Sequence, residues 1–271
     1  FAGNSGQDNS SYGIYARRYD ATGTAPDGES VVNTFWTSTQ MVPQAASLTD
    51  GGYVIAWASE TQDGDGNGVY AQRYNSAGVA QGSEFRVNVT TTGNQGSRAG
   101  TDFHEEGLSV TGLKDGGFAV TWFSTHADTT GDVYARLYNA DGTAQTGEFQ
   151  INSHTSSLQW LPQVAALAKG GMVVTWASAS QDGSGYGVYG QRLGADGTRV
   201  GGEFRINTNV ADDQGGLVDS QDERLHDVTG LVGGGFVAVW CSEVQDGAQG
   251  GMYMQVYDAV GNKVGAETRV N

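Results

Sequence analysis

The sequence is short of several things, and each shortage excludes a class. It has one cysteine, Cys241, so no disulfide can form within the chain. It carries 14 basic residues against 30 acidic ones, a formal net charge of −16. That balance argues against nucleic acid, whose phosphates need basic patches, and against docking on anionic lipid. No run of about 18 apolar residues occurs, which argues against membrane insertion by a helix. Only 3 prolines stand against 43 glycines, so chain reversals rest on glycine turns. Charged residues make up only 16%, which is not the composition of a disordered acidic tail. No signal peptide is visible at Phe1, and the chain opens in the middle of a repeat, as a fragment or processed form would.

What the sequence has is that repeat. Gly-Val-Tyr-Gly-Gln-Arg at 187–192 has counterparts at Gly13, Gly68, Asp132 and Gly251, with tyrosines Tyr15, Tyr70, Tyr134, Tyr189 and Tyr253. Their spacing alternates between 55 and 64 residues, so long and short units come in pairs. Each unit reads as four short strands, a to d, of β-branched and aromatic residues between glycine turns. In the best-preserved unit these are 163–167, 172–177, 188–193 and 203–207. Strand b ends on a tryptophan in every full unit (Trp57, Trp122, Trp176, Trp240), and strand d ends on Asn33, Asn88, Asn152, Asn207 or Asn271. A glutamine follows seven residues after the four internal asparagines: Gln40, Gln95, Gln159 and Gln214. Asparagine and glutamine here are expected to hold the backbone of the next loop. The strand arginines Arg73, Arg86, Arg192 and Arg205 are expected to pair with acids such as Glu84 and Glu203.

Four-stranded meanders at this period predict an all-β β-propeller of four or five antiparallel blades, with the long loops in pseudo-twofold alternation. Stacked sandwiches and an open array are the alternatives. The units run 1–33 (partial), 34–88, 89–152, 153–207 and 208–271 within one domain. There are four a–b pairs and five c–d pairs. Either one a–b pair is missing, or the spare hairpin serves self-association with another chain.

Once aligned, residues 170–176 and 181–192 resemble the repeat region of large RTX-type, type I-secreted bacterial surface proteins. That resemblance covers nearly the whole chain. It implies a secreted, cell-surface protein with an adhesive or scaffolding role and carries no catalytic residues with it. The calcium-binding nonapeptide of those proteins is absent.

Three groups of residues stand outside the structural pattern. Asp63, Asp65 and Asn67 place oxygen ligands at alternate positions, as calcium prefers, although an Asx turn explains such a loop equally well. Trp36, Trp160, Phe35 and Phe103 are aromatics in d–a connections, where they could form a platform for a sugar or protein or cover the end of a blade core. The long connections hold Asp102, His104, Glu105 and Glu106 on one side and Asp219, Asp222, Glu223 and His226 on the other. Solvated acidic loops are the plain reading, and acid–base glycoside cleavage is the chemical one. The main expectation is therefore a non-enzymatic extracellular module that binds a glycan or cell-surface protein. A secreted polysaccharide hydrolase or lyase using Glu105, Glu223, Asp102 and Asp222 is the alternative, and a structural spacer the third reading.

Overall fold

The computed structural model describes residues 2–3, 12–97, 107–127, 130–215, 226–243, 245, 247 and 250–271. Among them there is no helix, and hence none long and apolar enough to cross a membrane. The chain forms five antiparallel sheets in succession. The first has three strands: β1 (Ala2–Gly3), β2 (Gly13–Ala16) and β3 (Ser30–Val31). The second is β4 (Gln40–Ser47), β5 (Tyr53–Glu60), β6 (Asn67–Tyr74) and β7 (Phe85–Arg86). The third is β8 (Leu108–Gly112), β9 (Phe118–Ser124), β10 (Asp132–Tyr138) and β11 (Phe149–Gln150). The fourth is β12 (Gln159–Ala166), β13 (Met172–Ala179), β14 (Tyr186–Leu193) and β15 (Arg199–Arg205). The fifth is β16 (His226–Gly230), β17 (Phe236–Ser242), β18 (Gly251–Tyr257) and β19 (Lys263–Arg269). This is the expected propeller-like arrangement of repeated four-stranded blades, and its first blade is the incomplete one.

The blades pack face to face, which explains why their central strands are apolar on both sides. On β5, alternate residues Val54, Ala56 and Ala58 look forward and join Phe118, Val120 and Trp122 of the third blade. The intervening Ile55 and Trp57 look back toward Ile14 and Val32 of the first. The pattern repeats between the third and fourth blades, where Ala119 and Val133 meet Val174 and Trp176, and again between the fourth and fifth. All four strand-b tryptophans are buried. In the fifth blade the forward face has no such cover: Met252 is exposed, and Val237, Val239 and Met254 are only half-buried.

The innermost strands carry a second alternation. Gly112 and Gly230 occupy the place that Ser47 and Ala166 hold in the shorter units. A Cβ on Gly112 would lie 2.1 Å from the Ser47 carbonyl oxygen, and one on Gly230 would lie 2.1 Å from that of Ala166. The obstacle is backbone, so the blades themselves would have to separate. Gly112→Ala is expected to lower stability by about 1–3 kcal/mol through overpacking. Chemical denaturation measures it; an unchanged midpoint would mean the blades yield freely at the centre.

Strand a begins four residues earlier than the sequence pattern suggests. Trp160 and Leu161 belong to β12, not to a loop, and a bulge lies between Trp160 and Gln163. β4 has the same irregularity between Met41 and Gln44. The bulge residues Val42 and Leu161 have φ of 53° and 54°, unusual for such side chains, and each precedes a proline.

Burial pushes the phenols of Tyr70, Tyr74 and Tyr138 up to about 12 and raises that of Tyr257. An acid whose folded pKa is raised contributes stability that is complete below its ordinary value near 10 and is lost as pH rises toward the folded value. Denaturant stability is therefore expected to fall between pH 10 and 12, in step with tyrosinate absorbance. A flat stability profile across that window would contradict the assignment.

Candidate active site

In each blade the b–c and d–a connections lie at the same end, and polar side chains tie them together. Asn88 accepts a hydrogen bond from the Val69 amide at 2.8 Å and donates to the Thr90 carbonyl at 2.8 Å, Asp63 at 2.9 Å and the Gln95 side chain at 3.1 Å. Asn33, Asn152 and Asn207 repeat the first two contacts with Ile14 and Phe35, Val133 and His154, and Val188 and Asn209. Gln95 then donates to the Thr92 carbonyl, as Gln214 does to that of Ala211.

A further latch was not visible in the sequence. One glutamate in each of the four complete blades, just ahead of or within strand d, accepts from the backbone that follows the asparagine of the preceding blade. Glu84 takes the Thr34 amide, Glu148 those of Val89 and Thr90, Glu203 that of Ser153, and Glu267 that of Thr208. Glu84 and Glu203 therefore do not pair with the arginines as expected. Arg73 donates to the Ala140 carbonyl and Arg192 to those of Ala259 and Val260, each one blade on. The signal, a glutamate at one register in every unit, is present in the sequence, but its partner lies 50–59 residues away.

Four glutamates thus hold the fold. Asp102, Glu105, Asp222, Glu223 and the aromatic Phe103 lie outside the described residues, as do His104, Glu106 and Asp219. Among the described residues that precede them, Gln95 and Gln214 bridge to Ser124 and Ser242 at the ends of β9 and β17. His226 is not in the loop: it is buried at the start of β16, opposite Trp240, with Nδ1 3.1 Å from the Gly215 carbonyl.

The aromatic candidates divide. Trp36 is 45% exposed beside a half-buried Phe35, in the connection between β3 and β4. Trp160 is 0% exposed and meets Phe123 edge-on at 6.3 Å between centroids, so it offers solvent no face. At the calcium candidate, Asp63 accepts from Asn88, Asp65 accepts from the Gly93 amide at 3.1 Å, and the Asn67 amide donates to the Ser97 carbonyl at 3.5 Å. Among the described residues no three His, Cys, Asp or Glu side chains gather as a metal would require. A groove of about 900 Å³ lies between the first two blades and is bordered by β2 and β4.

No family model and no curated protein matches the sequence. The architecture does match solved structures. A protein of unknown function from Dyadobacter fermentans aligns over 96% of this chain and 72% of its own, at 10% identity and a TM-score of 0.57. An α-L-arabinofuranosidase mutant from Fusarium graminearum, in complex with an iminosugar inhibitor, aligns over 85% of this chain and 66% of its own, at 11% identity and TM-score 0.53. A complex of a Fusarium graminearum α-L-arabinofuranosidase with arabinobiose aligns over the same shares, at 9% identity and TM-score 0.51. Both Fusarium structures are of glycoside-cleaving enzymes. At these identities they establish a shared fold. They nevertheless correct two expectations. The resemblance to RTX-type surface repeats finds no counterpart, because the matched structures of stated activity are carbohydrate-active enzymes. The reading of a non-enzymatic adhesion module, which leaned on that resemblance, is set aside with it. The repeated pattern that suggested it marks strands and inter-blade latches, and such a pattern is silent about activity.

Proposed function

We propose that the protein is a secreted polysaccharide hydrolase that works at the loop end of the propeller. The observation that carries this reading is the division of carboxylates. Glu84, Glu148, Glu203 and Glu267 are consumed in latches between blades, whereas Asp102, Glu105, Asp222 and Glu223 belong in sequence to the two longer d–a connections. The likeness to α-L-arabinofuranosidases supports it and suggests arabinose-containing polysaccharides as the first substrates to try. Glycoside cleavage needs one carboxylic acid to protonate the leaving oxygen and one carboxylate to activate water or attack the sugar. Asp102 and Glu105 from one loop, with Asp222 and Glu223 from the other, supply that pair. Trp36 provides a face on which a sugar ring can stack.

The test is reducing-sugar release from a polysaccharide panel that includes arabinan. Glu105→Gln and Glu223→Gln are each expected to lower turnover by about 10²–10⁴-fold with an unchanged melting temperature. Trp36→Ala is expected to raise KM and leave kcat largely intact. Repeating the assay with chelator asks whether calcium at Asp63, Asp65 and Asn67 supports the site. A wild-type protein that releases no sugar from any member of the panel would remove the enzyme reading. Self-association through the β2–β3 hairpin is a separate proposal, checked by sedimentation across a range of concentrations.

A further inference from the structure

We infer that Tyr186 and Asp212 form a sugar-binding subsite at the loop end of the fourth blade, a ring for stacking and a carboxylate for sugar hydroxyls. The inference rests on the hydrolase reading and adds a binding position to it. In the second blade the b–c connection is laced to the d–a connection that follows. The Asn67 amide donates to Asn94 Oδ1 at 3.2 Å, the Gln95 amide to the Asn67 carbonyl at 2.7 Å, and the Gly93 amide to Asp65 at 3.1 Å. The fourth blade repeats each bond. The Tyr186 amide donates to Asp213 Oδ1 at 2.8 Å, the Gln214 amide to the Tyr186 carbonyl at 2.8 Å, and the Asp212 amide to Ser184 Oγ at 3.1 Å.

The backbone lacing is the same in both copies, but two side chains differ. Asn67 is buried and turns its amide to the Ser97 carbonyl at 3.5 Å. Tyr186, in its place, carries a half-buried ring packed against the buried cluster of Phe123, Trp160, Leu161 and Ala177. The third and fifth blades have Gly131 and Gly250 at that register, so the lacing itself does not call for an aromatic. The second difference lies at the turn. Gly93 is left-handed at φ 76°, which glycine adopts freely. Asp212 holds the same turn at φ 54° with its side chain exposed, a conformation that strains any residue with a Cβ. Strain of this kind gathers at ligand sites.

A flat ring fixed on a rigid core, with an oxygen acceptor beside it in the lacing, suits a sugar. The C–H face of the sugar stacks on the ring and its hydroxyls donate to the carboxylate. The ligand class is a neutral oligosaccharide, because Asp182, Asp212 and Asp213 in these two connections would repel an acidic one. The second of these connections leads in sequence to Asp222 and Glu223.

The probe is a set of soluble neutral oligosaccharides that includes arabino-oligosaccharides, titrated into the whole chain by calorimetry. Tyr186→Leu keeps an apolar cover over Trp160 but loses the flat face, and should weaken binding by about tenfold or more with little change in melting temperature. Tyr186→Phe should keep most of the affinity. Asp212→Gly restores the easier turn residue, so it should fold as well as wild type yet bind about three- to tenfold more weakly. That variant keeps the test valid if Tyr186→Leu folds poorly. A wild-type chain that binds no member of the set, or variants that bind as tightly as wild type, would overturn the subsite. Sugar release judges the hydrolase reading separately: binding that depends on Tyr186 and Asp212 without any release would support the subsite and remove the enzyme.

Discussion

Asn88→Ala should be among the most damaging single substitutions in the chain, costing about 3–6 kcal/mol. The side chain is buried and replaces backbone pairing at a point where strand d has already turned away. Its oxygen satisfies the Val69 amide, and its two amide hydrogens are shared among the Thr90 carbonyl, Asp63 and Gln95. Alanine leaves all of these without their partner in a place that water reaches poorly, and each orphan costs about 1–3 kcal/mol. Asn88→Asp separates the roles. It keeps the acceptor for Val69 but sets a second carboxylate against Asp63 at a contact now 2.9 Å long. Repulsion raises the pKa of the new acid, so the deficit should be largest near neutrality and shrink as pH falls and the acid takes up a proton. Urea midpoints at pH 7 and pH 5 decide it. A variant within about 1 kcal/mol of wild type would show that the latch is ornamental.

Trp176→Ala should cost about 3–5 kcal/mol, the range for truncating a large buried aromatic. Its indole lies in the core between the third and fourth blades with Leu113, Ala119, Val133 and Ile151, and its Nε1 donates to Gln159 at 3.2 Å. Loss of the ring therefore opens a cavity and frees the glutamine that steadies the loop through the Ser156 carbonyl. Trp176→Phe keeps most of the apolar area and should cost about 1–2 kcal/mol, the hydrogen bond and residual space. Denaturation followed by tryptophan fluorescence and by far-UV dichroism measures both variants. Equal losses for Ala and Phe would mean that the hydrogen bond, and not the packing, carries the site.

Much of the architecture could be read from the sequence because blades repeat what they need locally. The tyrosines of strand c, the tryptophans of strand b and the closing asparagines all recur at fixed register, and each does in the structure what alternation and local hydrogen bonding require. Contacts between blades were less legible. The glutamate latch joins residues more than fifty positions apart, so Glu84 and Glu203 looked like partners for nearby arginines. The bulge that turns Trp160 inward depends on a left-handed Leu161, a conformation no local propensity would assign to leucine. The candidate catalytic acids were proposed from the two longer connections, and they lie outside the described residues.

The alternation of close and looser centres constrains how such a chain can change length. Gly112 lets a long unit press against the short unit before it, and Gly230 does the same one pair later. A short unit following a long one presents Ala166 instead and keeps its side chain. Two kinds of seam thus alternate, and they are not interchangeable. Removing one unit would set two of the same kind side by side, whereas removing residues 89–207 would join a short unit to a long one and reproduce a seam the molecule already uses. The natural unit of duplication is the pair of blades.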